Sequence, residues 1–335
     1  MRTLRIAIRA DAGPTIGFGH VMRCITLGTA LVQRGHEVTL ATTSPVPSLQ
    51  ERCDRFGIDT VPLDPTGDDA TALRALQPDL VIVDGYHLGE VAASLHDNGL
   101  LWMAVDDNRE LPLREAAAVL NHNLFANREL YPELTAGRVW TGSQYALLRG
   151  DLTALSCRDT QPESAQNVLL SMGGADPLEL SKGLALGIAE KPGTIVRVAS
   201  NTGRSTHQEL ESLVAKHNAI EFATPDLIAS FDLSDIAVIG AGTTLWETAY
   251  LGIPTIALIT AENQQDGALS AGQAGIATVL DAREAAPDEI IAAVRGLAAD
   301  RATRENMMTR GRQLFDGEGP GRVARNIEAL VAENA

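Results

Sequence analysis

Residues 238–258 read VIGAGTTLWETAYLGIPTIAL: an apolar run, a turn of small residues, a helical pattern, a Gly-Ile-Pro stop and a second apolar run. A strand that turns tightly into a helix and returns as a strand is the repeating piece of a parallel sheet. The same alternation extends along the whole chain. In the first half LRIAIRA, EVTLAT, LVIVDG, LWMAVDD and AAVLNHN are candidate strands. Helices are expected in HVMRCITLGTALVQRG, closed by Gly35, and from Glu90 to His96, closed near Asn98 and Gly99. In the second half the candidate strands are NVLLSMGG, TIVRVAS, IEFAT, IAVIGAG, TIALIT and ATVL.

The expected fold is therefore α/β, with two doubly wound, Rossmann-like domains facing each other across a cleft. Polar residues and a proline interrupt the pattern in DLTALSCRDTQPESAQ, residues 151–166, and place the domains at 1–155 and 160–325. Residues 320–335 read as a C-terminal helix that packs back on the first domain. The 335 residues, 45% of them hydrophobic, suffice for two cores.

A net charge of −16 argues against a nucleic-acid partner, which calls for a basic patch. It does not exclude a small anionic ligand held by backbone N–H groups at a helix start. Cys24, Cys53 and Cys157 are widely spaced and odd in number, so neither a disulfide framework nor a metal knuckle is expected. No apolar stretch approaches the roughly 20 residues that span a bilayer. These features predict a cytoplasmic protein with no membrane partner.

Ligands of open parallel sheets bind beyond the carboxyl ends of the strands. Here those ends carry Arg9 and Asp11; Asp84, Tyr86 and His87; Asp106 and Asp107; Asn121 and Asn123; Gly173, Gly174 and Asp176; and Gly240 to Thr244. After the first strand, Gly13, Gly17 and Gly19 form a loop that ends in His20. The spacing G-x-G-H is neither the dinucleotide fingerprint nor a phosphate-binding P-loop, so a nicotinamide cofactor is disfavoured. At the positive end of the following helix the neutral imidazole is favoured, as a general base requires, and Asp11 or another rim carboxylate would orient it. A helix-capping or packing role for His20 is the alternative. Arg23 and Cys24 share its helical face. Arg23 would meet either a ligand anion or a structural carboxylate, and Cys24 reads as a small packing residue.

In the second half Gly173 and Gly174 bring backbone N–H groups to a rim, which suits a phosphate, while Asp176 reads as a helix cap. Gly242, Thr243 and Thr244 would seat a diphosphate at a helix start, with Glu247 placed for ribose hydroxyls. The same spacing also fits a capping box from Thr244 to Glu247. Glu262, Asn263, Gln264 and Gln265 form an amide-rich rim loop that suits sugar hydroxyls and acetamido groups, or simply solvent.

Taken in order, RADAGPTIGFGHVMR, VDGYHL, VDD, LNHN, TGSQYALLR, SMGGAD and GAGTTLWETAYLGIP resemble the PseG family of UDP-sugar hydrolases in pseudaminic acid biosynthesis. That family is related to SpsG and belongs to the GT-B superfamily typified by MurG. The resemblance spans about residues 5–265. It implies a GT-B-like fold and release of UDP from UDP-2,4-diacetamido-2,4,6-trideoxy-β-L-altropyranose by water, with inversion and without a metal or other cofactor. It also implies that His20 is the general base and that Glu247 grips the ribose. Asp11, Gly17, Gly19, Arg23, Tyr86, Asn263 and Gln264 would then lie on the sugar side, and Gly173, Gly174, Gly242, Thr243 and Thr244 on the UDP side. His87 and Leu88 depart from the family's Tyr-Gly ending, and the region after residue 280 carries no match. The competing readings are a UDP-sugar glycosyltransferase, with a hydroxyl in place of water, and a non-catalytic sugar-nucleotide binding protein.

Overall fold

A computed structural model describes residues 2–13, 16, 18–173, 176, 179–199, 204–224 and 227–335; the side chains of 136 and 204–207 are not described. The chain divides into two units, residues 1–149 with 317–335, and residues 150–316.

The first unit contains β1 (Arg5–Ala10), α1 (Gly19–Gln33), β2 (Glu37–Thr42), α2 (Pro47–Arg55), β3 (Asp59–Pro62), α3 (Asp69–Ala75), β4 (Leu80–Asp84), α4 (Gly89–Leu95), β5 (Trp102–Val105), β6 (Ala118–Asn121) and β7 (Val139–Thr141). Its seven strands are all parallel in the order β3-β2-β1-β4-β5-β6-β7. Side chains alternate across a strand, and both faces of this sheet are apolar. Ile6, Ile8, Leu80, Ile82, Met103 and Val105 face one core with Val21, Cys24, Leu27 and Leu31 of α1. Ala7, Val81, Val83, Trp102 and Ala104 face the other, with Ala70 and Leu73 of α3 and Ala92 and Leu95 of α4.

The second unit contains α5 (Gly150–Thr153), β8 (Asn167–Ser171), α6 (Leu180–Ala189), β9 (Ile195–Val198), α7 (Arg204–Lys216), β10 (Ile220–Phe222), α8 (Ile228–Asp232), β11 (Ile236–Gly240), α9 (Thr244–Leu251), β12 (Thr255–Ile259), α10 (Gln265–Ala274), β13 (Ala277–Asp281), α11 (Pro287–Ala299) and α12 (Arg301–Leu314). Its six parallel strands run β10-β9-β8-β11-β12-β13. The α/β expectation of two doubly wound Rossmann-like domains thus describes the chain. Each sheet reverses strand order at one place, between β1 and β4 and between β8 and β11. Such a switch point is where connections leave on opposite faces and open a crevice.

Two strands escape the sequence reading. β3, DTVP, lies at a sheet edge and is only partly buried, and its Pro62 tolerates edge pairing alone. β7, VWT, is a three-residue edge strand without a long apolar run.

The last helix, α13 (Gly319–Asn334), belongs to the first unit, where Val323, Ala324, Ile327, Leu330 and Val331 enter the α1 core. Glu328 clamps the far end of α1: Arg34 donates to it from Nε and Nη2, both at 2.7 Å, and His36 Nε2 lies 3.0 Å away. The Arg34 hydrogen bonds pull the Glu328 carboxyl down to about 2, against an ordinary value of 4.5. The folded state therefore prefers the ionised form. Its contribution is complete above pH 4.5 and disappears as pH falls toward 2. Glu328→Gln is expected to lose about 1 kcal/mol at pH 7, discounted for its surface setting, and to converge on the parent stability only near about pH 1, below both values. Urea midpoints across that range check this; a gap that persists at the acid end contradicts it.

Candidate active site

The β1/β4 switch point is built from the parity of two strands. Asp84 ends β4 two residues after Ile82, so its side chain leaves on the face that α1 covers. There it is fully buried, which a carboxylate tolerates only with partners. Arg23, one turn into α1, supplies a two-pronged grip, Nε to Oδ2 at 2.6 Å and Nη2 to Oδ1 at 2.7 Å. Cys24 adds a weak Sγ bond to Oδ2 at 3.4 Å. Burial and the adjacent carboxylate push this thiol well above its ordinary range, so Cys24 is a packing residue. Although burial opposes ionisation, the Arg23 charge holds the Asp84 carboxyl well below the usual carboxylate range.

His20 lies one helical turn before Arg23 and is 7% exposed. Its Nδ1 stands 2.7 Å from Asp84 Oδ1. An ionised carboxylate only accepts, so Nδ1 carries the proton and Nε2 keeps a lone pair. Among the described residues nothing hydrogen-bonds to Nε2. The Tyr86 ring meets the imidazole edge-on, with centroids 4.5 Å apart, and Tyr86 is 38% exposed.

A second carboxylate sits on the next strand end. Asp107 accepts Arg23 Nη1 at 2.8 and 2.7 Å, the Tyr86 hydroxyl at 3.0 Å and Asn123 Nδ2 at 2.7 Å. Arg23 Nη1 also lies 3.3 Å from Nε2 of buried His122. Burial, helped by the Arg23 charge, pushes His122 down to about 4. Asn121 links this floor to Tyr131, whose hydroxyl donates to Asp106 at 2.9 Å.

Asp11 does not orient His20. It follows Arg9 by two positions and shares the opposite side of the sheet, where Arg9 Nη1 is 2.7 Å away as an ion pair. Thr42, Thr43 and His87 occupy the rest of its oxygens, with His87 Nε2 at 2.8 Å. The orienting carboxylate is Asp84. Arg23 likewise meets structural carboxylates: all three of its side-chain nitrogens are engaged by Asp84 and Asp107. Gly19 opens α1 with no heavy atom near its notional Cβ, whereas Gly17 lies outside the described residues.

In the second unit the β8/β11 switch point brings together Gly173 and the turn from Gly240 to Thr244; Gly174 lies outside the described residues. The two strand ends are so close that a Cβ on Gly240 would lie 3.1 Å from the Met172 carbonyl oxygen. Gly173 has φ +82°, a conformation that favours glycine. Helix α9 starts at Thr244 with Thr243 as its N-cap and no side-chain cap bond, so the capping box is not formed. Gly242 and Thr243 are exposed, and Glu247 is half-buried in the first turn. On the following rim Asn263 is exposed, while Gln264 Oε1 accepts from the Thr260 amide at 2.8 Å and stabilises the loop itself. Among the described residues no helix is long and apolar enough to cross a membrane.

The glycosyltransferase family 28 C-terminal domain matches residues 158–317, which lie almost wholly within the second unit. The spore coat polysaccharide biosynthesis protein SpsG of Bacillus subtilis strain 168 is 25% identical over 204 residues, 58% of this chain and 60% of that protein. The chain spans 57–60% of the length of the curated relatives it matches. Among solved structures, S. aureus MnaA in a UDP co-structure superposes with a TM-score of 0.73 at 13% identity, covering 98% of this chain and 97% of that one. Acinetobacter baumannii MurG does so with a TM-score of 0.68 at 16% identity, covering 97% and 99%. The fold is therefore GT-B-like.

Asp84→Ala would strand a buried guanidinium with a single remaining carboxylate. The expected cost is about 3–5 kcal/mol of stability, read from urea unfolding. A loss below about 1 kcal/mol would mean that the buried pair does not form in solution.

Proposed function

We propose that this chain is a UDP-sugar hydrolase in which His20 is the general base. The observation that carries the reading is the His20–Asp84 pair at the first switch point, with Nδ1 committed to the carboxylate and Nε2 left to take a proton. Asp84 holds the ring in one tautomer and favours the imidazolium once it forms. Water deprotonated by Nε2 attacks the anomeric carbon on the face opposite the diphosphate, and the C1–O bond breaks to release UDP. Configuration inverts.

The second unit holds the nucleotide through Gly173, the Gly242–Thr244 turn, and the Glu247 carboxylate for the ribose. Helix-start N–H groups stabilise charge that builds on the leaving diphosphate. The family 28 match over this unit and the UDP held by the structurally similar MnaA support the assignment. The sugar is a 2,4-diacetamido-2,4,6-trideoxy hexose in this reading, on the strength of the motif resemblance, and Tyr86, Asn263 and the amide of Gln264 are its contacts. SpsG, named for polysaccharide biosynthesis, is consistent with a role in making a surface carbohydrate.

The family 28 match also favours a second reading, a glycosyltransferase in which His20 deprotonates an acceptor hydroxyl. Proton NMR of a UDP-linked diacetamido sugar incubated with the protein, without acceptor, separates the two. Hydrolysis predicts steady UDP release and an inverted first-formed anomer; UDP release only after acceptor is added contradicts it. His20→Ala should keep UDP affinity while kcat falls roughly 10²–10⁴-fold. Near-parental turnover in that variant would remove His20 from the mechanism.

A further inference from the structure

Asp107 makes no contact with His20, yet it touches both groups that flank the imidazole. The buried one is Arg23, whose Nη1 donates to Asp107 while Nε and Nη2 grip Asp84. The exposed one is Tyr86, whose hydroxyl donates to Asp107 while its ring packs edge-on against His20. Asn123 Nδ2 fixes the carboxylate from the end of β6, at 2.7 Å. We propose that Asp107 is a positioning residue for the base: it offsets the Arg23 charge, so that the cluster facing His20 keeps a net negative charge, and it anchors Tyr86 against the ring. The inference rests on the reading of His20 as a general base.

The charge balance gives the reason. One guanidinium between two carboxylates leaves a single negative charge, and a proton on His20 neutralises it. With Asp107 neutral, Arg23 balances Asp84 alone, and the same proton makes the buried cluster cationic. His20 then becomes a weaker base. The charged and titratable groups around His20 are Asp84, Arg23, Tyr86 and Glu110; those around Asp107 are Arg23, Tyr86, His122, Asp84, Asp106, Glu110 and Tyr131. Among them only Asp107 bridges Arg23 to Tyr86. A purely structural role would predict a different outcome: Asp107→Asn would lower stability and leave the pH dependence of the base in place.

The test compares Asp107→Asn, Asp107→Glu, Tyr86→Phe and the Asp107→Asn/Tyr86→Phe double variant. With the UDP-linked diacetamido sugar, Asp107→Asn should lower kcat about tenfold, change KM less than about twofold, and move the acid limb of kcat/KM down by about one pH unit. Asp107→Glu should restore the limb. The loss in the double variant should be smaller than the product of the two single losses, because the Tyr86 hydroxyl is anchored by that carboxylate. Independently of any substrate, NMR of the full chain with ¹⁵N-labelled histidine should show the His20 ring titrating at lower pH in Asp107→Asn than in the parent. Should Asp107→Asn fail to fold, Tyr86→Phe and Asp107→Glu carry the comparison. An unmoved His20 titration in a folded Asp107→Asn variant overturns the proposal, as do multiplicative losses in the double variant. If the parent protein releases no UDP, the hydrolase reading fails while the NMR arm still decides the coupling.

Discussion

The burial of Asp84 against Arg23 is the interaction on which the first unit's site depends. A carboxylate with no solvent exposure at the end of a central strand is stable only because a guanidinium on the covering helix meets it with two hydrogen bonds. That pair fixes α1 on the sheet one turn after the helix begins. His20, three positions before Arg23, is thereby delivered to the remaining hydrogen-bonding direction of the same carboxylate. Structural and chemical roles fall on one group. The helix is held at its other end too, where Glu328 of α13 takes Arg34 and His36.

The two units use one topological device for different chemistry. At β1/β4 the strand ends carry charged side chains that bond chiefly to one another, and among the described residues Nε2 of His20 has no hydrogen-bond partner. At β8/β11 they carry glycine and threonine, which offer backbone and hydroxyl groups instead. In the proposed function, this difference is how an acidic chain, with net charge −16, would hold an anionic ligand. Backbone N–H groups at a helix start need no basic side chain to hold a phosphate.

Much of the architecture was legible in the sequence because its signals are local. Strands such as LVIVD are buried on both faces, and Gly35 and Gly252 end helices in the left-handed conformation that favours glycine. The edge strands were not legible, since DTVP and VWT bury too little to leave a pattern. At the site, the residues of the rim were visible but their pairing was not: His20 and Asp84 are 64 positions apart. Sequence leaves Asp11, close by, or another rim carboxylate as the orienter of His20. Strand alternation sends Asp11 away with Arg9, and the same alternation, read two residues past Ile82, points Asp84 toward α1. The Asp107 bridge has no sequence signature, because it depends on three separate strand ends converging on one guanidinium.

Asp84 holds the His20 proton on Nδ1 and leaves Nε2 with its lone pair. Long-range ¹H–¹⁵N correlation spectra of the histidine-labelled chain, recorded where the ring is neutral, measure this directly. The expected spectrum shows a protonated Nδ1 and an unprotonated Nε2 for His20, with that preference lost in Asp84→Asn. A ring protonated on Nε2 in the parent protein would contradict it.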